Sequence, residues 1–144
     1  MSTVSILLVD DFAPFRVYVR SILAEYPEYE IIGEAADGLE ALQKAKELQP
    51  SLILLDINLP KFSGIQVAKQ LRTIAPLSSI LFLTAHNSIE MVPVALSIGA
   101  RGYVSKWSAA HDLVPAVKAV CIGQQFVSKR FAAWDSSDPM EPQT

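Results

Sequence analysis

Hydrophobic residues in this chain gather into five short runs with little polar interruption. The runs lie at Val4–Val9, Tyr29–Ala35, Leu52–Leu55, Ser79–Thr84 and Gly102–Ser105. Short apolar runs between turn residues such as Pro50 and Pro60 are typical of strands buried on both faces, as in a parallel sheet. A buried helix segment is the alternative for 52–55, but two prolines about ten residues apart leave little room for one. The pattern therefore predicts five strands.

Between these runs, apolar residues recur every three or four positions, as they do in amphipathic helices. One helix is predicted with Pro14 in its first turn, and a second is predicted to open with the capping sequence Asp37–Glu40. Further helices are predicted after Ser63–Gly64, over Ser88–Ile98 and over Asp112–Val120. Pro93 should loosen the fourth helix, Gly99 should end it, and Pro115 should fall in the first turn of the fifth. The alternation predicts an α/β fold with a single doubly wound, five-stranded parallel sheet and helices on both faces.

Composition supports one ordered domain with a short tail. The chain has 144 residues, of which 51% are hydrophobic and 19% charged, and a domain of this size buries about two-thirds of its unfolded surface. After Phe131 the residues are polar, rich in proline and aperiodic. We therefore expect a domain over residues 1–131 and a mobile tail over 132–144.

Charge and targeting signals exclude several classes of protein. The net charge is −3 and Lys and Arg do not cluster, so direct nucleic-acid binding by this chain is not expected. The start lacks the features of a signal peptide and no apolar run reaches ~18 residues. A cytoplasmic protein with no membrane partner is predicted. The single cysteine, Cys121, lies between Val120 and Ile122 and is predicted to be a buried small hydrophobe.

Reactive side chains stand at the ends of four predicted strands. They are Asp10 with Asp11, then Asp56, Thr84 and Lys106. Each has an ordinary explanation alone: a solvated turn, a helix cap, strand chemistry, or a lysine reaching for water. The carboxyl ends of parallel strands meet at one edge of a sheet, where ligands bind. We therefore expect these side chains to form one site.

The residue types at this edge suit phosphoryl chemistry. Three carboxylates held a few ångströms apart repel by about 1–4 kcal/mol per pair at surface-like dielectric. A hard cation such as Mg²⁺ removes that repulsion and prefers oxygen ligands. Thr84 and Lys106 would hold phosphoryl oxygens, and Asp56 is the predicted nucleophile, which would give an acyl phosphate.

Four motifs carry a resemblance to a known family. They are Leu-Val-Asp10-Asp11, Leu-Leu-Asp56-Ile-Asn-Leu-Pro60, Leu-Thr84-Ala85 and Gly102-Tyr103-Val-Ser-Lys106. Over about residues 4–126 the chain resembles the receiver domain of bacterial two-component response regulators, which has a flavodoxin-like fold. Residues 100–128 look most similar to the subfamily that carries a C-terminal helix-turn-helix output domain. No such domain fits after Phe131, so a stand-alone receiver and the front part of a longer regulator both remain open.

The resemblance implies a phosphorylation-controlled signalling switch. A sensor histidine kinase or a phosphotransfer protein would donate phosphate to Asp56. Asp11, Asp56 and the Asn58 carbonyl would bind Mg²⁺, with Asp10 acting mostly through water. Thr84 and Lys106 would contact the phosphoryl group, and Tyr103 would rotate inward as Thr84 moves. Such a domain is not an enzyme toward other molecules, because it promotes only its own phosphorylation and dephosphorylation.

Two positions add detail to this expectation. Trp107 follows Lys106, where the family often has a proline with a cis bond. A cis bond before a residue other than proline costs about 2.5–4 kcal/mol, so a trans bond is expected. His86, with Asn58, would lie beside the water that attacks the phosphoryl group, and it is equally well explained as a loop histidine with no role.

Three other functions fit parts of the pattern. A Mg²⁺-dependent phosphatase with an aspartyl nucleophile needs similar groups, although its second carboxylate would replace Asn58. An interaction module that never uses phosphate would be expected to lack a core site residue, and none is missing. Flavin or nucleotide binding on such a sheet would call for a glycine-rich phosphate loop, which the sequence lacks.

The fourth helix has two apolar stripes. Val92, Ala95, Leu96 and Gly99 suffice to cover the sheet, and Met91, Val94 and Ile98 form a second stripe toward water. An exposed apolar patch marks a contact site, although scattered surface apolar residues are also common. We expect Met91, Val94 and Ile98, near Tyr103, to contact a second copy of the chain or a downstream protein.

Overall fold

A parallel sheet lies at the centre of the protein. The computed structural model describes residues 3–85 and 89–134. The strands are β1 (Val4–Val9), β2 (Tyr29–Ala35), β3 (Leu52–Leu55), β4 (Ser79–Thr84), β5 (Gly102–Ser105) and β6 (Phe126–Val127). Their order in space is β2-β1-β3-β4-β5-β6, and every neighbouring pair is parallel.

The five predicted strands are confirmed with their bounds, but the predicted number of strands is wrong. β6 adds a sixth strand at the edge beside β5. It has only two residues, which is too short for hydrophobic periodicity to signal a strand. Its pairing depends on the path that the chain takes after the last helix.

Helices cover both faces of the sheet. They are α1 (Ala13–Leu23), α2 (Gly38–Leu48), α3 (Gly64–Ile74), α4 (Met91–Ser97) and α5 (Ala109–Cys121). Shorter 3₁₀ helices follow at Lys106–Ser108 and Lys129–Trp134. Because α1 and α5 pack on one face and α2, α3 and α4 on the other, the sheet is doubly wound as predicted.

Strand residues alternate between these two cores. Leu7 and Val9 face the core shared with α2, α3 and α4, whereas Ile6 and Leu8 face the core shared with α1 and α5. Strands apolar on both faces are what a sheet covered on both sides requires. Burial of both faces also holds the strand register, because a slip of one residue would exchange the two sets of side chains.

Two local signals for helix ends, the Asp37–Glu40 capping sequence and Gly99, are present in the structure with one difference. The side chain of Asp37 accepts a hydrogen bond of 2.8 Å from the Glu40 N–H, as a capping residue should. The Glu40 carboxylate, however, accepts from the N–H of Ala36 rather than from Asp37. Gly99 ends α4 with φ of +104°, a left-handed conformation that favours glycine.

Two predicted helix starts are wrong. α4 begins at Met91 rather than Ser88, which lies outside the described residues. Pro93 therefore falls in its first turn, where a missing N–H costs little. α5 begins at Ala109 rather than Asp112, because the 3₁₀ turn 106–108 leads directly into it. Pro115 consequently lies inside the helix, not in its first turn.

The C-terminal part holds two further differences from expectation. Cys121 is exposed at the end of α5, so its predicted burial is wrong. α5 turns Val117 and Val120 to the core and Cys121 away from it. The predicted tail 132–144 lies outside the described residues from 135 onward, and the last 3₁₀ helix continues through Trp134. The boundary at residue 131 stays a prediction.

Candidate functional site

Three carboxylates meet where the central strands end. Val9 of β1 pairs with Leu55 of β3, so the residues that follow, Asp10 and Asp56, stand side by side. Asp10 is 2% exposed and Asp56 5%, whereas Asp11 is exposed. One oxygen from each of the three lies within 4.8 Å of the other two. The predicted cluster is therefore formed.

Lys106 joins this cluster from the turn after β5. Its Nζ lies 2.6 Å from Asp10 Oδ2 and 3.0 Å from Asp56 Oδ2. The ring of Phe15, in the first turn of α1, lies 4.5 Å from the same Nζ and covers one side of the ammonium group. An aromatic face attracts a cation, so Phe15 helps to hold Lys106 toward the carboxylates. Phe15 was not among the predicted site residues.

The pKa values of the central pair are both perturbed. Burial raises the pKa of Asp56 above its usual 3.8, and Asp10 adds to this, while Lys106 opposes it. Burial lowers the pKa of Lys106, but the hydrogen bond to Asp10 and the charge of Asp56 outweigh burial, so its pKa is raised overall. Lys106 thus stays charged at neutral pH, and the Asp56 carboxylate is less stable in this site than in water.

The loop after β3 is shaped by close backbone contacts. The Gly64 N–H donates to the Ile57 carbonyl at 2.6 Å, and a Cβ on Gly64 would lie 2.1 Å from the Asp56 carbonyl oxygen. Only glycine fits there. Ser63 and Gln66 cap α3 reciprocally, and the Asn58 N–H donates to Asp56 Oδ1 at 3.2 Å. Sequence reasoning treated Ser63–Gly64 only as a helix start and missed this positioning role.

Thr84 and Tyr103 lie on the neighbouring strands. Thr84 is fully buried at the end of β4 and stands in register with Ser105, the residue before Lys106. Tyr103 is also fully buried, and its hydroxyl has no hydrogen-bond partner within the part of the chain that the structure describes. Burial and, second, the charge of Asp56 raise the Tyr103 pKa to about 12. Both predicted switch residues are therefore close to the edge that carries the site.

The structure agrees with the expectations for the remaining residues only in part. Val94 is 40% exposed, but Met91 and Ile98 are half-buried and pack against the core. The expectation that all three face water is therefore wrong for Met91 and Ile98, because both pack against the core that α4 covers. Trp107 is exposed, and no peptide bond between described residues is cis, as expected. His86 lies outside the described residues.

The donor set fits a hard divalent cation. Carboxylate oxygens are the ligands that Mg²⁺ prefers, and partial exposure at Asp11 leaves room for the waters that Mg²⁺ keeps. A cation beside three carboxylates also removes their mutual repulsion. The ammonium of Lys106, two buried carboxylates and a strand-end hydroxyl together suit the transfer and holding of a phosphoryl group.

Known proteins resemble this chain in sequence and in fold. The family model for the response regulator receiver domain matches residues 6–118. The chain belongs to this family. Its members are phosphorylation-dependent switches of two-component systems, phosphorylated on an aspartate.

Individual relatives agree with the family match. The transcriptional regulatory protein DegU of Brevibacillus brevis is 35% identical over 124 residues, which are 86% of this chain and 52% of that protein. A protein-glutamate methylesterase/protein-glutamine glutaminase of Methanosarcina acetivorans is 38% identical over 114 residues, 78% of this chain and 32% of that protein. The chain thus spans about half, or less, of the length of these curated relatives.

A solved structure shares the fold of this chain. The crystal structure of a LuxR-family two-component response regulator from an Aurantimonas species superposes with a TM-score of 0.89. It is 32% identical, and the match covers 97% of this chain and 100% of that one. DegU and the LuxR-family regulator confirm the predicted similarity to regulators that carry a C-terminal helix-turn-helix domain.

The described residues include no helix long and apolar enough to cross a membrane.

Proposed function

We propose that Asp56 is the phosphate acceptor of this receiver domain. The observation that carries the proposal is the position of Asp56 at the end of the central strand, 3.0 Å from Lys106 and beside Asp10 and Asp11. A carboxylate oxygen of Asp56 attacks phosphorus, a P–O bond forms, and the P–N bond of a phosphohistidine breaks. The nitrogen keeps that electron pair, and the product is an acyl phosphate.

The proposed donor is a sensor histidine kinase or a phosphotransfer protein, and the proposed metal is Mg²⁺. Asp10, Asp11, Asp56 and the backbone carbonyl of Asn58 would hold the ion. When bound, it supplies positive charge that offsets the charge of the transferred phosphoryl group. Lys106 supplies a second positive charge from this chain.

Thr84 and Tyr103 are the proposed switch residues. The Thr84 hydroxyl would donate a hydrogen bond to a phosphoryl oxygen. Tyr103 would change position in response to the movement of Thr84. The surface around Tyr103 and α4, where Val94 is an exposed apolar residue, is the proposed contact with a second copy or a downstream protein.

The activity and the location that we propose for this chain are those general in its family. Receiver domains are mainly non-enzymatic, although one relative is named as an esterase. We propose that this chain promotes only its own phosphorylation and dephosphorylation. Response regulators are generally cytoplasmic, and we propose the same location here. Because the net charge is −3, we propose that residues 1–144 do not bind nucleic acid directly.

Intact mass spectrometry tests the acceptor. Incubated with Mg²⁺ and acetyl phosphate, the protein should gain the mass of one phosphoryl group, and Asp56→Asn should gain none. Glu47→Gln, which alters an exposed carboxylate on α2, serves as the control and should be labelled normally. An Asp56→Asn protein that is labelled at the normal rate would show that the acceptor is another residue.

A further inference from the structure

A serine side chain completes the hydrogen bonding of β5 directly before Lys106. The Tyr103 carbonyl accepts the Ser128 N–H at 3.0 Å, which extends the pairing of β5 with β6 by one residue. In a longer parallel ladder, the Ser128 carbonyl would then accept the Ser105 N–H. Here the Ser128 hydroxyl oxygen accepts it, at 3.2 Å. The last residue of β5 is therefore held at this edge by a side chain rather than by a backbone carbonyl.

A carboxylate on α5 anchors the same hydroxyl. Ser128 is almost completely buried, and its hydroxyl donates to Asp112 Oδ2 at 2.7 Å. A hydrogen bond to a charged acceptor is roughly twice as strong as one between neutral groups, so it fixes the direction of the hydroxyl hydrogen. The oxygen lone pairs are then left for the Ser105 N–H. Asp112 lies in the first turn of α5, where the helix dipole favours a negative charge.

The turn that carries Lys106 depends on Ser105 as well. The Ser105 hydroxyl oxygen accepts the Trp107 N–H at 3.2 Å and caps the 3₁₀ helix at Lys106–Ser108. A proline at position 107 would fix its own backbone angle φ but could not donate this bond. Trp107 donates it and leaves φ free, so hydrogen bonds at Ser105 hold this turn.

Lys106 needs a fixed backbone because its side chain is long and its contacts are close. Its Nζ lies 2.6 Å from Asp10 Oδ2 and 3.0 Å from Asp56 Oδ2. A lysine side chain loses more rotamer freedom on ordering than most others do. A shift of the backbone at position 106 would therefore allow the ammonium group to leave the carboxylates.

We propose that Ser128 and Asp112 are positioning residues for Lys106. The Ser128 hydroxyl, anchored by Asp112, fixes the end of β5 and so keeps the Lys106 ammonium group beside Asp56, where it also holds the incoming phosphoryl group. The inference rests on the proposed function, in which Asp56 is the acceptor. Neither Ser128 nor Asp112 touches the reacting atoms, and Lys106 stays at the site throughout.

A purely structural role for the pair predicts a different response to Mg²⁺. If the pair only stabilised the domain, its loss would loosen the whole site and weaken Mg²⁺ binding. If the pair positions Lys106, its loss removes positive charge from Asp10 and Asp56, which leaves more negative charge to attract a cation. Mg²⁺ should then bind more tightly. The two roles are therefore distinguished by the sign of the change in Mg²⁺ affinity.

The place of the Lys106 ammonium group can be measured without phosphate or metal. In protein labelled with ¹⁵N-lysine, the Lys106 signal is assigned by its loss in Lys106→Gln. Its ammonium protons should exchange with water about ten-fold faster in Ser128→Ala than in the wild type, because contact with two carboxylates protects them. Ser78→Ala is the matched control, since it removes a hydroxyl that donates to the Pro50 carbonyl at the other end of the sheet. Equal exchange in Ser128→Ala, Ser78→Ala and the wild type overturns the inference.

The rate of phosphorylation supplies a second arm. At saturating Mg²⁺, Ser128→Ala should be phosphorylated by acetyl phosphate about ten-fold more slowly than the wild type, because a displaced Lys106 no longer meets the phosphoryl group. Its Kd for Mg²⁺, from isothermal titration calorimetry, should be several-fold lower. Ser78→Ala should change neither quantity. A slower reaction with weaker Mg²⁺ binding would assign the pair a purely structural role, and a normal rate would remove it from the reaction. Both outcomes leave Asp56 as the acceptor.

Two further variants complete the test. Asp112→Ala keeps the hydroxyl and removes its anchor, so it should change both quantities in the same direction by less, and it replaces Ser128→Ala if that protein does not fold. Ser128→Thr keeps a hydroxyl and should react at a rate near that of the wild type. A folded Ser128→Thr protein as slow as Ser128→Ala contradicts the inference. If the wild type gains no phosphate, the proposed function is wrong, and exchange of the Lys106 ammonium protons still decides whether Ser128 positions them.

Discussion

At the scale of single residues, the site is a balance between burial and charge. Asp10 and Asp56 are almost completely buried, which is costly for carboxylates unless they are paired. Lys106 contacts both at 2.6 and 3.0 Å, but one ammonium cannot offset three carboxylates. The resulting excess of negative charge would attract a cation. Without a bound cation, it lowers the stability of the folded protein.

Asp56→Asn should therefore raise the stability of the metal-free protein at pH 7. The pKa of Asp56 is raised in the folded state, so the folded protein binds this proton more tightly than the unfolded chain does. Its ionisation destabilises the fold at any pH above the raised pKa, and this penalty disappears as the pH falls through the raised pKa toward 3.8. The melting temperature of Asp56→Asn should exceed that of the wild type by a few degrees at pH 7, and the difference should vanish below pH ~3.8.

Asp11→Asn is the matched control for the melting temperature of Asp56→Asn. Asp11 is exposed, so its charge is better solvated and its removal should change the melting temperature less. An Asp56→Asn protein that melts below the wild type at pH 7 without metal would show that pairing with Lys106 outweighs burial.

At the scale of elements, α4 is the least anchored helix of the sheet's cover. It has seven residues, and no side chain among the described residues caps its N-terminus. An isolated helix of that length is unstable without packing. Val92 and Ala95 hold it on the sheet, and it also packs near the 3₁₀ helix 129–134. Such an element is well suited to change position with modest energy.

Val94→Glu tests the proposed contact surface on α4. Val94 is 40% exposed, so a charge there should leave the fold and the labelling of Asp56 unchanged. It should weaken association of the phosphorylated protein by at least ten-fold, about 1.4 kcal/mol, as measured by light scattering against protein concentration. Val17→Glu is the control, since Val17 is 66% exposed on α1, which packs on the other face of the sheet. Equal association of both variants and the wild type would remove α4 from the interface.

At the scale of the whole molecule, the carboxylates of the proposed cation site come from separate parts of the chain. Asp10 and Asp11 follow β1, and Asp56 follows β3, and these elements are brought together only in the folded state. A ligand that binds only the folded state stabilises it by mass action. Mg²⁺ binding should therefore report on the integrity of the entire sheet.

Mg²⁺ should raise the melting temperature in a saturable way. At a hundred times the Kd, the gain should be about 2.7 kcal/mol, measured by differential scanning calorimetry. Sodium chloride at the same ionic strength should give a smaller shift, because it screens the carboxylates without bridging them. Asp11→Asn should reduce the Mg²⁺ shift. A shift of equal size with either salt would mean that the cluster does not bind Mg²⁺ specifically.

Local patterns in the sequence were enough for most of the fold and for the residues of the site. Five strands have the predicted bounds because each is a short, mostly apolar run between turn residues. β3, an unbroken apolar run buried on both faces, is the clearest of them. Asp10, Asp11, Asp56 and Lys106 could be placed together because parallel strands end at one edge. The glycine at position 99 ends α4 because the requirement for a left-handed residue is itself local.

Only the tertiary structure decided the features that depend on where distant parts of the chain meet. Asp112 was predicted to begin a helix, but its carboxylate bonds Ser128, sixteen residues away, and the helix begins earlier. Gly64 is required because the Asp56 carbonyl lies against it. Phe131 is buried because Tyr103 is there to receive it. Contacts of this kind produce no periodic pattern in the sequence, because each depends on a partner that lies far away along the chain.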